Sequence, residues 1–552
     1  MRPAIVVGVV RQISTPSVAR IIARSRAPAL AAVLATALLA AGSRASAETP
    51  PPPAAAPAAS SAPATAPDAT TTTATDAPPE FPAESTPTPR PLREDAAPET
   101  NIPPFEPGFG PRYHIEQIVV SGNHKTKTEL ILREIGIAAG DVISASDPRV
   151  EAARFRLLSR GFFLDVRLSL TRGKKRGNAI LLVEIEERGT IVVNDLYPST
   201  SAATTFWGGI DVSETNFLGR GINLGGAFVV STKPKVPDAR AGVGVRLHGS
   251  LPQIPSLGVS LSLTGLFNDG SEFYRVIGAD TDPDPANFIA VRARRIGGIL
   301  GAGKPLGRYL RLFADLREEA VNGQLPDTRN RIYPTGVVKP IDFDVDEGNS
   351  RVGSLMLTLD YDTRPDPVLP RSGGRFVASV EGAHGALGST YDFVKAVVQA
   401  SVYTRLPHGH ALGFHFLAGG LVGDAPYFDR FFVGDLNLLL PRRALGINFS
   451  TLASRNLLGT GIAGHRYDDY AARILIEYAI PIWRRHGFVY GGDAFAAVGM
   501  FGLASERDFR PPDDFGWNNL PIDMTADLGL RLDTYVGVFT ISIANALGRS
   551  SF

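Results

Sequence analysis

The sequence of 552 residues contains no cysteine and no marked excess of either charge. Without cysteine, the chain has no disulfide, no thiol nucleophile and no cysteine-ligated zinc site. Its 56 lysines and arginines balance 55 aspartates and glutamates, which gives a formal net charge of +1. Such a chain lacks the basic excess of a general polyanion binder, so we expect no nucleic-acid partner.

Long hydrophobic runs are also scarce. The clearest one, "APALAAVLATALLAA" at 27–41, has about 15 residues, whereas a membrane-spanning helix needs roughly 20. Arginines precede this run, and the small residues "ASA" at 45–47 follow it. This arrangement is typical of a cleaved export signal, which we predict over residues 1–47. A membrane anchor is the alternative interpretation.

Residues 48–112 contain few large apolar side chains and are dominated by proline, alanine, threonine and serine. Such a composition cannot bury enough apolar surface to offset the entropy of the chain. The prolines favour extended backbone. We therefore predict a disordered spacer, with a tract that binds a partner as the alternative.

Residues 113–188 combine strand and helix patterns. The segment "YHIEQIVVSGN" alternates and ends in a Gly-Asn turn, which predicts a strand. Two helical segments follow, "TELILREIG" and "PRVEAARFRLL", and then two strands, "LDVRLSLT" and "AILLVEIEE". The order β-α-α-β-β predicts a small α+β domain.

Residues 189–552 have no helical pattern and instead alternate strictly in segments of about ten residues separated by turns. In "ARILIEYAIPIW", for example, Ile474 and Ile476 oppose Arg473 and Glu477. A soluble β-sandwich alternates as well. The polar positions here, however, mix bulky charges with glycine, and the region is too long for one sandwich.

We therefore predict a mainly β protein, in which a transmembrane antiparallel β-barrel of about 16 strands follows the small α+β domain and the disordered spacer. Outward positions of such a barrel are apolar and inward positions are polar. An interior of that size is wide enough for water or for an inserted plug.

The small domain resembles a POTRA domain. "IEQIVVSGNHKTKTELI" is similar to the first strand, turn and first helix of that family, and "RLLSRGFFLDVRLSL" to its second helix and next strand. The resemblance implies a periplasmic domain that binds extended segments at a sheet edge. The residues expected at this edge are Ile115, Val119, Gly122 and Asn123.

The barrel resembles the surface-antigen domain of the BamA/TamA-type outer-membrane assembly factor superfamily. The most specific match is "LDYDTRPDPVLPRSGGRFVASVEG", and "VSETNFLGRGINLGGAF" and "GLRLDTYVGVFTISIA" support it. The C-terminal Phe552 is similar to the end signal of that family.

The stretch "RFFVGDLNLLLPRRALG" at 430–446 falls where this superfamily has a long loop that folds back into the lumen. The resemblance implies that an arginine of this loop contacts acidic residues on the barrel wall, here Glu477 and Asp493. The predicted loop residues are Phe431, Phe432, Gly434, Asn437 and, as alternatives for the contacting cation, Arg442 and Arg443.

The implied function is assembly or translocation of proteins at the outer membrane, with the POTRA domain receiving substrate strands in the periplasm. The implied partners are outer-membrane lipid, unfolded outer-membrane or secreted proteins, and periplasmic accessory proteins. A passive channel or structural barrel with a docking domain is the alternative. We expect no enzyme activity, cofactor or metal, because "GRGINLGG" at 219–226 precedes no helix and "HGH" at 408–410 has no acidic ligand close by in sequence.

Overall fold

The computed structural model describes residues 6–8, 111–144, 146–196, 198–254, 257–279, 282, 284–436, 443–451, 467–484, 487–505 and 522–549. Most of the predicted export signal and spacer lies outside the described residues, as do Asn437, Arg442 and Phe552. None of the described helices is both long and apolar enough to cross a membrane.

The small domain is a four-stranded sheet with two helices. Its elements are β1 (Arg112–Ser121), α1 (Thr128–Ile135), β2 (Val142–Ser144), α2 (Pro148–Leu158), β3 (Phe163–Arg172) and β4 (Asn178–Glu187). The sheet order is β2-β1-β4-β3, and β1 runs parallel to β4. Fully buried aliphatic residues such as Ile131, Leu157 and Leu181 form its core.

Local sequence signals fix both helices of this domain. The helix α1 ends at Gly136, whose φ of 61° is the left-handed conformation that glycine adopts without strain. The helix α2 begins at Asp147, whose side chain accepts a hydrogen bond from the backbone N–H of Arg149, and Pro148 occupies its first turn.

The structure changes one part of the predicted sheet edge. Residues 112–114 of β1 lie between β2 and β4, and Ile115 is buried in the core, whereas Val119 lies beyond β2 and has its ladder partner on β4. The first residues of β1 pair with the three-residue strand β2, a contact between segments about 30 residues apart that alternation cannot reveal. The outer strands of this sheet are β2 and β3.

Within the described residues, fifteen strands between 191 and 549 form one antiparallel sheet that curls into a barrel. They are β5 (Ile191–Leu196), β6 (Trp207–Phe217), β7 (Ile222–Ser231), β8 (Val243–Ile254), β9 (Val259–Arg275), β10 (Phe288–Pro305), β11 (Leu310–Gln324), β12 (Gly348–Asp362), β13 (Gly373–Ala383), β14 (Phe393–Arg405), β15 (Ala411–Gly423), β16 (Tyr470–Arg484), β17 (Val489–Ala504), β18 (Ile522–Thr534) and β19 (Gly537–Arg549). Each strand pairs with its neighbours in sequence.

The strand faces follow the predicted alternation. On β12, Leu355 and Leu357 are exposed on the outer surface, whereas Ser354 and Asp360 are buried on the inner side. An apolar exterior and a polar interior invert the usual soluble arrangement, and they match a barrel whose outside faces hydrocarbon.

The first and last long strands lie side by side at a seam. The backbone N–H of Val193 in β5 donates to the carbonyl of Val536, just before β19, at 2.8 Å. In the part of the chain that is described, no ladder joins β5 to β19. The segment Val6–Gly8 pairs antiparallel with the outer edge of β19, with Val7 opposite Ile541.

The small domain packs on the strand-connecting turns at its own end of the barrel. The backbone N–H of Lys127 donates to the carbonyl of Gly219 at 2.9 Å, and Lys125 Nζ bonds the Tyr535 hydroxyl at 2.6 Å. The ring of Phe155 on α2 packs edge-on against Tyr309 at 5.1 Å. These contacts reach three of the turns, on both sides of the seam.

Candidate functional site: a lumen closed by an inserted loop

The long connection between β15 and β16 enters the lumen instead of extending into solvent. Its first part, residues 424–436, includes Phe431 and Phe432, which pair with Tyr467–Asp468 near the return to the wall, and the short helix α3 (Val433–Leu436). Phe431, Phe432 and Gly434 are all buried, so the structure places these three predicted residues together inside the barrel.

The loop reaches the opposite wall through a tight hairpin. Ala444 and Ile447 exchange two backbone hydrogen bonds of 3.0 and 2.9 Å, and Leu445 and Gly446 between them have φ values of 50° and 82°. Two residues with positive φ are characteristic of a type I′ hairpin turn. The turn therefore redirects the chain within the lumen.

Glycines and aromatic rings on the opposite wall accommodate this hairpin. A Cβ added to Gly270 would lie 2.9 Å from Ile447 Cγ2, so a larger residue there would displace the loop. The ring of Phe449 stacks on Trp207 at 4.7 Å. The Asn268 amide donates to the carbonyl of Leu445 at 2.7 Å. Each buried apolar side chain of the hairpin contributes roughly 1.5–3 kcal/mol.

Charged groups anchor the first part of the loop to the wall. Arg317 on β11 donates to Asp429 at 2.8 Å, and it also bonds Glu319 at 2.8 Å. Lys395 Nζ donates to the backbone carbonyl of Asp429 at 2.6 Å. Glu381 joins Arg317 at 3.3 Å. Here the wall supplies the cations and the loop supplies the carboxylate.

At this anchor the charges are opposite to those of the predicted contact, in which a loop arginine meets a wall carboxylate, and of the two arginines predicted for that contact only Arg443 lies among the described residues. Arg443 is directed back into its own loop, where it donates to Asp435 at 2.5 Å and to the carbonyl of Phe428 at 3.0 Å. The wall carboxylate Glu477 accepts two hydrogen bonds, of 2.9 and 2.8 Å, from Arg531 on β18. Arg443 therefore does not make the predicted contact with Glu477.

Asp493, the second predicted partner, also binds arginine, but from the other end of the barrel. Arg371 in the turn between β12 and β13 donates to the Asp493 carboxylate, and Arg484 approaches it at 3.5 Å. The resemblance implied that an arginine contacts Asp493 on the barrel wall. It did not show which arginine reaches it, because Arg371 is 122 residues away along the chain.

The anchoring residues Arg317, Asp429 and Lys395 were missed at the level of sequence. Alternation did place Arg317 on the inner face of β11, because it opposes Leu316. The signal for Asp429 is weak, since aspartate is a common residue in loops of every kind. Arg317 also lines a lumen cavity of about 460 Å³, together with Arg295 and Arg443.

The geometry among the described residues is that of a lumen occupied by an anchored loop. Among the described residues, no group of His, Asp and Glu side chains could hold a metal ion. The buried charges instead pair with one another across strands and with the loop. Such paired charges can hold a plug in one position and can release it if a partner is displaced.

Two protein-family models match the chain. The POTRA model, "Surface antigen variable number repeat", matches residues 113–188, and the "Omp85 superfamily domain" model matches residues 216–549.

Individual proteins show the same similarity. The chain is 24% identical over 441 residues to the outer membrane protein assembly factor BamA of Nitratidesulfovibrio vulgaris (strain Hildenborough), covering 76% of this chain and 47% of that protein. It thus spans about half the length of this curated relative.

Among solved structures, BamA from Haemophilus ducreyi lacking POTRA domains 1–3 has a TM-score of 0.46 and 16% identity, with 80% of this chain and 82% of that chain covered. CdiB from Escherichia coli has a TM-score of 0.45 and 12% identity, with 82% and 94% covered. Because the Omp85 model alone matches more than half of the sequence, the chain belongs to the Omp85 superfamily and is an outer-membrane β-barrel protein with a POTRA domain in the periplasm.

Proposed function

We propose that the protein inserts or secretes other proteins at the outer membrane and is not a passive channel. The observation that carries this proposal is that the loop between β15 and β16 is inserted in the lumen and anchored to the barrel wall. A passive channel conducts through an open lumen, whereas here Arg317 and Lys395 hold Asp429, and the hairpin at 444–447 is seated on the opposite wall. A conduit closed at rest needs a partner that opens it, and a protein substrate is such a partner.

The POTRA domain receives the substrate in this proposal. Extended polypeptide adds to a sheet edge through backbone hydrogen bonds. The outer strands β2 and β3 offer such edges, and β3 is the longer, with ten residues. The domain lies against the turns that flank the seam, so a strand bound to it is delivered close to the first and last barrel strands.

Site-specific photo-crosslinking tests this proposal in cells. A photoreactive amino acid is placed at Arg167 on β3, whose side chain is 75% exposed, and at Val142 on β2, which is 41% exposed. We expect adducts with unfolded outer-membrane or secreted proteins. The matched control is Glu184, which is exposed on the inner strand β4 and presents no free sheet edge.

Two results would contradict the proposal. One is an absence of protein adducts at both outer strands. The other is an outer-membrane protein composition that does not change when the chain is depleted, together with a large steady conductance of the purified wild-type barrel. The second pattern would favour the passive channel.

A further inference from the structure

The turn between β12 and β13, residues 363–372, is the largest periplasmic connection within the described part of the barrel, and it is tightly folded. The guanidinium of Arg364 makes two hydrogen bonds to Asp362, of 2.9 and 2.8 Å, and its side chain is only 3% exposed. The Asp366 carboxylate accepts from the backbone N–H groups of Val368 and Leu369 at 2.8 and 3.2 Å. These bonds make the turn a preformed unit rather than a loose connection.

The tip of this turn lies against the inner wall of distant strands. Leu369 is 5% exposed, and together with Pro370 it packs beside Tyr403, Glu477 and Arg531, which belong to the inner faces of β14, β16 and β18. The space left between them is about 10 Å³, room for no more than one water molecule. The tip therefore projects across the periplasmic mouth instead of pointing away from it.

Arg371 fastens the tip at two points. It donates to the backbone carbonyl of Gly409, in the turn between β14 and β15, and to the Asp493 carboxylate on β17. The Asp493 side chain is 5% exposed. Charge-assisted hydrogen bonds from a guanidinium are stronger than neutral ones, and more so where water is excluded. Arg371 thus spans the mouth between strands that are four ladders apart.

The POTRA domain contacts other turns at the same mouth. Its contacts reach the turns at Gly219, Tyr309 and Tyr535. The turn at Tyr309 is the neighbour of the turn at 363–372, and the carbonyl of Tyr309 accepts a hydrogen bond from the backbone N–H of Asp362 at 2.9 Å. The POTRA domain and the turn at 363–372 therefore both lie at the periplasmic mouth of the barrel.

We propose that the turn 363–372 is a second gate, separate from the inserted loop between β15 and β16. In this proposal Arg371 holds the turn shut through Asp493 and the Gly409 carbonyl. The lumen is then closed at both ends at rest. The role of the gate in admitting a polypeptide rests on the proposed function, but its closed state does not. Opening requires that Arg371 leave its two acceptors and that Leu369 leave the inner wall.

The absence of cysteine makes a direct test feasible. Ala411 on β15 lies behind the turn, is 4% exposed, and becomes the sole thiol in an Ala411→Cys variant of the full chain. Labelling by a bulky, membrane-impermeant maleimide is measured in nanodiscs. We expect Arg371→Met to raise the labelling rate at least about tenfold, the scale set by losing a charge-assisted hydrogen bond.

Arg484→Met is the matched control, because Arg484 also approaches Asp493 but lies on the wall strand β16 and holds no part of the turn. Its labelling rate should stay near that of the parent. The pair Arg371→Asp and Asp493→Arg should restore slow labelling, and Asp493→Asn alone should accelerate it. Folding of each variant is checked by its migration on unheated gels.

Equal rates for Arg371→Met and Arg484→Met, with slow labelling of Asp493→Asn, would overturn the gate. This readout needs no substrate, so its failure is distinct from a failure to capture proteins at the POTRA domain. Conversely, fast labelling in Arg371→Met without any protein adduct at the POTRA domain would support the gate and refute the proposed function.

Discussion

Asp344 is a residue whose surroundings set its protonation. It lies in the extracellular loop between β11 and β12 and pairs with Arg430 at 2.9 Å. Burial raises the pKa of the Asp344 carboxyl to about 7, and the nearby carboxylates of Asp342 and Asp469 raise it further, while Arg430 opposes the shift. The side chain is therefore neutral in mild acid and ionised only above neutrality.

This shift predicts a pH-dependent loop. A carboxyl whose pKa is higher in the folded state binds its proton more tightly there, so the free energy of unfolding falls as the pH rises from about 4 to about 7, by at most about 1.4 kcal/mol per pH unit. Hydrogen exchange of residues 341–347, corrected for intrinsic rates, should show better protection at pH 5 than at pH 7.5. Asp344→Asn should remove the difference.

Glu347→Gln is the control for this prediction, because Glu347 belongs to the same loop but forms an exposed pair with Arg329. Equal protection of the wild-type loop at both pH values would contradict the assigned role of Asp344. A loss of pH dependence in Glu347→Gln as well would show that the effect belongs to the whole loop.

At the scale of an element, the inserted loop depends on the wall residue Arg317. Arg317→Met removes the cation shared by Asp429, Glu319 and Glu381 and leaves buried carboxylates without it, a change that costs about 3–5 kcal/mol in comparable sites. We expect frequent openings of high conductance in planar bilayers, because the loop is no longer held.

Arg311→Met provides the comparison. Arg311 lies on the same strand and pairs with Asp360 on the wall, at 2.9 Å, without contacting the loop. The conductance of the Arg311→Met variant should resemble that of the wild type. Similar openings in both variants would mean that loss of a lumen charge, and not release of the loop, causes them.

The elements also show what sequence can and cannot predict. Alternation predicted the barrel strands and their faces, because which side a residue faces is a local property with a period of two. It could not show that residues 112–114 of β1 pair with a three-residue strand elsewhere, or that Arg531 and Arg371 are the partners of Glu477 and Asp493, because these contacts are set by register and by a turn. The family resemblance located the inserted loop, but not the wall residues Arg317 and Lys395 that hold it.

At the scale of the whole molecule, the turn after β1 connects the POTRA domain to the barrel. The Glu187 carboxylate accepts from the backbone N–H groups of His124, Lys125 and Thr126 at 3.0, 2.8 and 2.7 Å. It thereby shapes the turn that reaches Tyr535. Behind it, Arg188 forms a buried ion pair with Asp533 on β18.

We predict that Glu187→Gln loosens this junction, because hydrogen bonds to an ionised acceptor contribute about 1.5–3 kcal/mol, less where the group is partly exposed. Spin labels on introduced cysteines, one in the POTRA domain and one in the barrel, should show a broader distance distribution by pulsed electron resonance. Glu184→Gln on the same strand, exposed, should leave the distribution narrow. If the distance distributions of the two variants are indistinguishable, Glu187 does not hold the POTRA domain against the barrel.

The odd number of described barrel strands has a consequence for pairing at the seam. Within the described strands, all fourteen ladders from β5 to β19 are antiparallel, so the two strands at the seam point the same way. A single strand placed in the seam and running opposite to β5 and β19 would pair antiparallel with both of them. Val6–Gly8 runs in this direction along β19. A two-stranded hairpin placed there would pair antiparallel with only one of them. An incoming barrel with an even number of strands would leave one same-direction junction. Parallel pairs are the weaker ones, so that junction is where the two sheets would part.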